Sequence, residues 1–178
     1  AFANEGRVPE PYAITQIVDW EGNTVYSNTK TVRQAVPADT AYIMARLLQG
    51  VIERGTAKRA NIGRPAGGKT GSTEDFIDAL FIGFTPDMVC GVFLGNDDRK
   101  PLGEAKTGGI IAAPIFAKVM KAAHENIPVH DFIRPESVVE KTVCLKSGLL
   151  PSSSCKKTIV LPFKAGTAPT KVCDQCTE

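Results

Sequence analysis

The residues best equipped for chemistry sit in GRPAGGKTGST, residues 63 to 73. Gly63, then four residues, then Gly68, Lys69 and Thr70 fits G-x-x-x-x-G-K-[ST], a loop that cradles phosphates. The same residues support another chemistry if they form an extended strand. Period-two alternation then puts the hydroxyls of Thr70 and Ser72 on one face, suited to gripping one carboxylate from two sides. Gly71 between them removes a side chain where a substrate backbone must pass closely. Lys69 brings a fixed positive charge that lowers a neighbouring hydroxyl's pKa or holds an anion. The plainest alternative is an ordinary polar strand start.

The flanking elements decide between these readings. A phosphate loop follows a strand and opens a helix, because the helix N-terminus and successive N–H groups hold the phosphates. Here a helix precedes the segment: it opens at Pro37-Ala38-Asp39-Thr40, carries Ile43, Leu47, Leu48, Val51 and Ile52 on one stripe, and stops at Gly55. A polar, basic stretch, 56 to 64, follows it. Beyond Lys69 the pattern becomes β, with ALFIGF (79 to 84) and MVCGVFLGN (88 to 96) joined by Thr85-Pro86-Asp87. So short a connection demands antiparallel neighbours. Asp97 therefore arrives by a hairpin and not by the βαβ crossover that would make it a magnesium ligand. The P-loop NTPase reading fails on context, and the strand reading stands.

Upstream, AITQIVDW (13 to 20) and NTVY (23 to 26) flank a turn at Glu21-Gly22-Asn23. Downstream, Pro114 starts a second helix with Ile115, Phe116, Val119, Met120 and Ala123 on its stripe and Pro128 beyond its end. Phe116 and Met120 are expected in the core. From Val129 the composition shifts to Pro, Ser, Lys and Cys, with one alternating run, VVEKTVC. The outline is a helix, three antiparallel strands, a helix and a stapled tail. This is an α/β chain of the α+β type.

Apolar residues at 43% and charged residues at 22% describe an ordinary globular protein long enough to bury a core. The net charge of +2 is scattered, which argues against nucleic-acid binding. The longest apolar stretch, near Ile110 to Met120, is too short to span a bilayer and contains Pro114 and Lys118. The opening AFANEGRVPEPYAI has no initiator Met, basic n-region or apolar h-region, which points to a longer parent. Of five cysteines, Cys144, Cys155, Cys173 and Cys176 crowd the tail, while Cys90 is expected as a buried free thiol. Disulfides among the four are favoured. A four-thiolate zinc site is the alternative, against which stands the long separation of Cys144 from Cys155. His124 and His130 read as surface residues after a helix. Glu74, Asp75 and Asp78 read as a solvated connection, and Asp97 and Asp98 as a strand end.

FANEGRVPEPYAITQIVDWEGNTVY, DTAYIMARLLQGVIERGTA, GGKTGST followed by DALFIGFTPDMVCGVFLGND, and GGIIAAPIFAKVMKAA occur in the order found in class A penicillin-binding proteins. The likeness runs to about Pro135, and the tail motifs SGLLPSSSC and PFKAGTAPTKVC resemble the end of such proteins. The chain resembles the C-terminal part of their transpeptidase domain, a β-lactamase-like fold with an antiparallel sheet covered by helices. The resemblance implies residues 1–130 as the C-terminal half of that domain and 131–178 as a C-terminal extension, the segment for which the cysteine distribution favours a disulfide staple among Cys144, Cys155, Cys173 and Cys176. It implies a K-T-G box in which Lys69 assists proton transfer. Thr70, Ser72 and Thr73 would bind substrate, Gly71 would give close approach, and the Ser72 N–H would form half an oxyanion hole. Such donors contribute about 3 kcal/mol each.

The implied reaction is cross-linking of peptidoglycan stem peptides ending in D-Ala-D-Ala, with β-lactams as trapping mimics. It needs no cofactor and no metal. The parent is expected to carry a glycosyltransferase domain and a membrane anchor, and to work on the extracytoplasmic face of the bacterial membrane. The family's S-x-x-K and S-x-N boxes precede K-T-G, and neither has a credible counterpart here. Ser153 to Lys156 and Ser154 to Lys157 spell S-x-x-K after K-T-G in no helical pattern, and Tyr26-Ser27-Asn28 sits at a strand end. The nucleophile is thus expected in an N-terminal part that partners this chain, which alone should be inactive. A non-catalytic binding module is the remaining alternative.

Overall fold

The computed structural model describes residues 1–176. Four short strands come first: β1 (Arg7–Pro9), β2 (Gln16–Val18), β3 (Thr24–Ser27) and β4 (Val32–Gln34). β1 pairs with β4 and β2 with β3, both antiparallel. The expected turn between β2 and β3 forms because Gly22 takes a positive φ of 88° and the Asp19 carboxylate accepts the N–H groups of Glu21 and Asn23.

Helix α1 (Ala38–Glu53) follows, then β5 (Gly67–Ser72), β6 (Asp78–Phe84) and β7 (Val89–Gly95) in a three-stranded antiparallel sheet of order β5-β6-β7. Helix α2 (Ala113–Ala123) is preceded by a π-helical turn, Gly108–Ala112. The tail forms a separate ribbon of β8 (Val138–Cys144) and β9 (Thr158–Lys164). No helix among the described residues is long and apolar enough to cross a membrane.

One sheet face is packed. Phe81 and Phe116 are fully buried and meet edge to face at 4.8 Å, with Met120, Ile52, Ala60 and Ala112 around them. A second cluster joins Tyr42, Ala45, Phe84, Phe132 and Val138, so α1 bridges the sheet to the tail. Asp39 in the first turn of α1 pairs with Lys164 of β9 at 3.1 Å, which reinforces that bridge. The opposite sheet face, which carries Lys69, leaves Ile82, Val89 and Phe93 more than half exposed.

The helices exist where expected, but their stripes differ. On α1 the buried side is Asp39, Ala41, Tyr42, Ala45, Gln49 and Ile52, while Leu47 is exposed. On α2 Phe116 and Met120 are core as expected, yet Ile115 and Val119 are exposed and Ala113 and Ala117 are buried. Both helices present small residues to a close neighbour, so the densest contact falls beside the bulkiest stripe and not on it. A further correction concerns His124, which is 6% exposed and not a surface residue. Its Nδ1–H donates to the Met120 carbonyl (2.8 Å), so Nε2 accepts from the Thr85 hydroxyl (2.9 Å). That hydroxyl also accepts the N–H groups of Asp87 and Met88, fixing the β6–β7 turn. His130 is exposed, as expected, and bonds Asp87 at 2.9 Å.

Candidate functional site

Lys69, Thr70, Gly71 and Ser72 lie in register opposite Ile82, Phe81, Leu80 and Ala79 on the outer strand β5. Lys69 is therefore mid-strand in an antiparallel sheet and not at a strand-to-helix turn, which rules out a phosphate loop. The segment is extended because Gly67 and Gly68 let it lie flat. A Cβ on Gly68 would come within 2.5 Å of the Phe81 ring.

The side chains alternate as the sequence implies. Thr70 and Ser72 project to the face of Phe81 and Ala79, where the chain itself meets them. The Thr70 hydroxyl lies 2.9 Å from that of Thr56, and the Ser72 hydroxyl accepts the Gly108 N–H at 3.0 Å. An N–H donor leaves the Ser72 O–H proton free to point elsewhere. Each of Gly108 and Gly109 is packed too closely for a side chain. A Cβ on Gly108 would collide with the carbonyls of Leu80 and Gly71, and one on Gly109 with that of Thr56. The sequence hinted at these supports only through a Thr after a helix stop and a Gly pair before a helix.

The backbone adds a second feature. The Thr73 N–H donates to the Asp78 carbonyl at 3.2 Å. Antiparallel ladders bond alternate residues, so Gly71 and Lys69 turn their peptide groups to β6, while Thr70 and Ser72 turn theirs outward along the open edge. In keeping with this, the Thr70 carbonyl accepts the Lys69 ammonium at 2.8 Å. Lys69 itself is exposed. Thr73 stands apart from the row: its hydroxyl accepts the Asp78 N–H and closes the turn to β6. Gly71 meets only the Leu80 Cβ, at 3.2 Å, so its outer side is open.

The description "Penicillin binding protein transpeptidase domain" matches residues 1–121. This chain belongs to that family. A second family description, "Penicillin-binding protein 1A, C-terminal domain", matches residues 134–178. Penicillin-binding protein 1A of Aquifex aeolicus is 34% identical over 173 residues, covering 97% of this chain and 24% of that protein. Its namesake in Neisseria lactamica is 39% identical over 145 residues, covering 78% of this chain and 18% of that protein. The chain thus spans about a quarter or less of these relatives. Among solved structures, penicillin-binding protein 1A from Haemophilus influenzae superposes with a TM-score of 0.82 at 26% identity, covering 97% of this chain and 31% of that one. PonA1 from Mycobacterium tuberculosis shares the fold, with a TM-score of 0.66 at 24% identity over 75% of this chain and 38% of its own. The mixed α/β transpeptidase fold expected from the motif order is the one observed.

In this transpeptidase-family chain the other sequence candidates lie elsewhere. Ser153 and Ser154 occupy a turn, Tyr26 to Asn28 ends β3, and Glu74 and Asp75 are exposed after β5. Cys90 is half-buried against the core and free. The four tail cysteines are also free thiols, so no disulfide joins them among the described residues. Their sulfurs instead gather within 4.8 Å of one another. Hydrogen bonds from the Ser147 backbone, and then the Lys146 backbone, hold the Cys144 thiol down at about 6. Side-chain hydrogen bonds with Cys144 and Cys155 favour the protonated form of Cys176, pushed up to about 12.

Proposed function

We propose that this chain supplies one wall of a D-alanyl-D-alanine transpeptidase cleft, with the serine nucleophile carried by a preceding part of the same domain. The observation that carries this reading is the outer strand β5. It offers an exposed Lys69 on one face, a buttressed Ser72 hydroxyl on the other and an outward Ser72 N–H along its open edge. Lys69 assists proton transfer at the incoming serine, and the Thr70 and Ser72 hydroxyls hold the terminal carboxylate of the stem peptide. Thr73, set apart from that row because its hydroxyl oxygen closes the turn to β6, contributes only its remaining O–H proton at the strand end. The Ser72 N–H and the nucleophile's own N–H share the developing oxyanion, each contributing about 3 kcal/mol. Attack by the serine expels the terminal D-alanine and leaves an acyl-enzyme, and an amine from a second stem peptide then takes the acyl group and frees the serine.

The apolar sheet face beside Lys69 supports the same reading, because Ile82, Val89 and Phe93 are covered when the rest of the domain packs there. The parent works on the extracytoplasmic side of the bacterial membrane, is anchored by a segment outside this chain, and also carries a peptidoglycan glycosyltransferase. Residues 1–130 complete the transpeptidase and residues 131–178 extend it. No cofactor takes part in the reaction. Labelling with a fluorescent penicillin tests the reading. The parent should be labelled through a serine outside this chain, Lys69→Ala in the parent should slow labelling at least about 100-fold, and the isolated chain should stay dark. Label on the isolated chain, or an unlabelled parent, defeats it; the latter outcome favours a non-catalytic binding module.

A further inference from the structure

The tail is too poor in apolar residues to hold itself together. A two-stranded ribbon is marginal alone, and the apolar side chains buried in residues 134–176 reduce to Val138, Val143, Cys144, Pro162 and Cys173. Small units of this kind depend on a staple. The four cysteines come from three places that the fold brings together. Cys144 ends β8, and Cys155 sits in the turn before β9. Cys173 and Cys176 form a C-x-x-C on the final segment, which is tied back by the Leu150–Val172 bridge and by the Cys173 N–H to the Leu150 carbonyl at 2.8 Å.

We propose that Cys144, Cys155, Cys173 and Cys176 form a structural zinc site of four thiolates that closes the tail. Zinc bound to thiolates has Zn–S of about 2.3 Å in a tetrahedron, which sets neighbouring sulfurs about 3.8 Å apart. The Cys144 and Cys176 sulfurs are 3.6 Å apart, and all four fall within 4.8 Å of one another. Four sulfurs mutually this close describe one centre shared by four ligands, whereas two disulfides would sort them into two pairs at about 2.05 Å. The surroundings fit the charge. A zinc tetrathiolate carries two net negative charges, and Lys146, Lys156 and Lys157 line the open concavity of about 480 Å³ against Cys144 and Cys176. Lys146 is held there by its bond to the Gln175 carbonyl at 2.8 Å, within the C-x-x-C. A backbone donor adds to the cage, since the Ser152 N–H approaches the Cys155 sulfur at 3.4 Å. On binding, each cysteine coordinates as its thiolate and any remaining protons leave to solvent. The separation of Cys144 from Cys155 in sequence is bridged by the turn after β8, where Gly148 takes a positive φ of 71° and donates to the Cys144 carbonyl. This inference concerns the tail and does not depend on the transpeptidase reading.

The test uses the whole 178-residue chain, made both in a reducing cytosol and by export, and purified without chelators. Elemental analysis should find one zinc per chain in both preparations. Cobalt(II) added to the metal-free chain should give intense visible bands of a tetrahedral site and a near-ultraviolet sulfur-to-cobalt charge transfer. Cys90→Ser should leave both unchanged, while Cys155→Ser and Cys176→Ser should abolish stoichiometric zinc. Lys156→Glu should weaken zinc binding about tenfold. If the cysteine variants fail to fold, the cobalt spectrum of the unaltered chain decides. A metal-free chain lighter by four hydrogens, carrying two disulfides in either preparation, overturns the proposal. So does a chain with four free thiols that takes up no zinc, or a cobalt spectrum without sulfur charge transfer.

Discussion

The sheet of β5, β6 and β7 and the ribbon of β8 and β9 solve the same problem by different means. The sheet holds the candidate site by apolar packing, with Phe81 and Phe116 fully buried and three strands in continuous register. The ribbon buries little and draws its order from sulfur, from backbone bonds and from its dock on α1. Placement of a reactive row to within a fraction of an ångström calls for the stiff solution, since close-packed interiors yield little. A peripheral extension needs only closure.

Phe116→Ala is the strongest way to break this contrast. It should cost about 3–5 kcal/mol in chemical denaturation followed by circular dichroism, whereas Val160→Ala, at a half-exposed position of the ribbon, should stay within about 0.5 kcal/mol. Equal losses would erase the distinction. Gly108→Ala comes next, because the added Cβ strikes the carbonyls of Leu80 and Gly71. It should cost about 1–3 kcal/mol and slow penicillin acylation of the parent beyond any loss of folded protein. Thr85→Val should cost about 1–3 kcal/mol in thermal unfolding, since His124 and two backbone N–H groups lose their shared partner.

The pH responses are smaller and sharpen the comparison at its seam. The hydrogen bond from Lys164, then that from the Thr40 backbone, hold the Asp39 carboxyl below its ordinary value. A depressed acid contributes stability above its unfolded pKa of about 3.9 and loses it as pH falls through the folded value. Hydrogen exchange should therefore show β9 loosening from α1 below about pH 3.9, and Asp39→Asn should remove that step. His130 shifts the other way, raised first by its hydrogen bond to Asp87. Its contribution is complete below about pH 6.5 and fades as pH climbs through the raised value. An NMR titration of the two histidines should show this for His130, and Asp87→Asn should return it toward 6.5.

Much of the body was legible in the sequence. The helix before the glycine-rich segment, the β6–β7 hairpin and the alternation of Thr70 and Ser72 follow from local periodicity and turn chemistry, which act over a few residues. What escaped was set by distant partners. His124 looked solvated after a helix end, yet the Thr85 turn buries it. Leu47, Ile115 and Val119 looked like core, yet alanines make the closer contacts. Strand β9 was hidden by Pro162, which a ribbon with two free edges tolerates. The cysteine tail announced a staple but not its geometry, because sequence spacing does not reveal which turns fold back on which strand.

The bond from the Gly108 N–H to the Ser72 hydroxyl has a consequence in time as well as in space. An exposed serine hydroxyl reorients on the picosecond to nanosecond scale. Here its orientation is tied to a π-helical turn whose two glycines are wedged against β5 and Thr56. The Ser72 oxygen leaves this donor only as that turn shifts, so the side-chain rotamer inherits the slower clock of a loop while the O–H proton still rotates. Relaxation measurements should therefore find Ser72 and Gly108 moving on one timescale, with Lys69, exposed and held only by the Thr70 carbonyl, moving on a faster one.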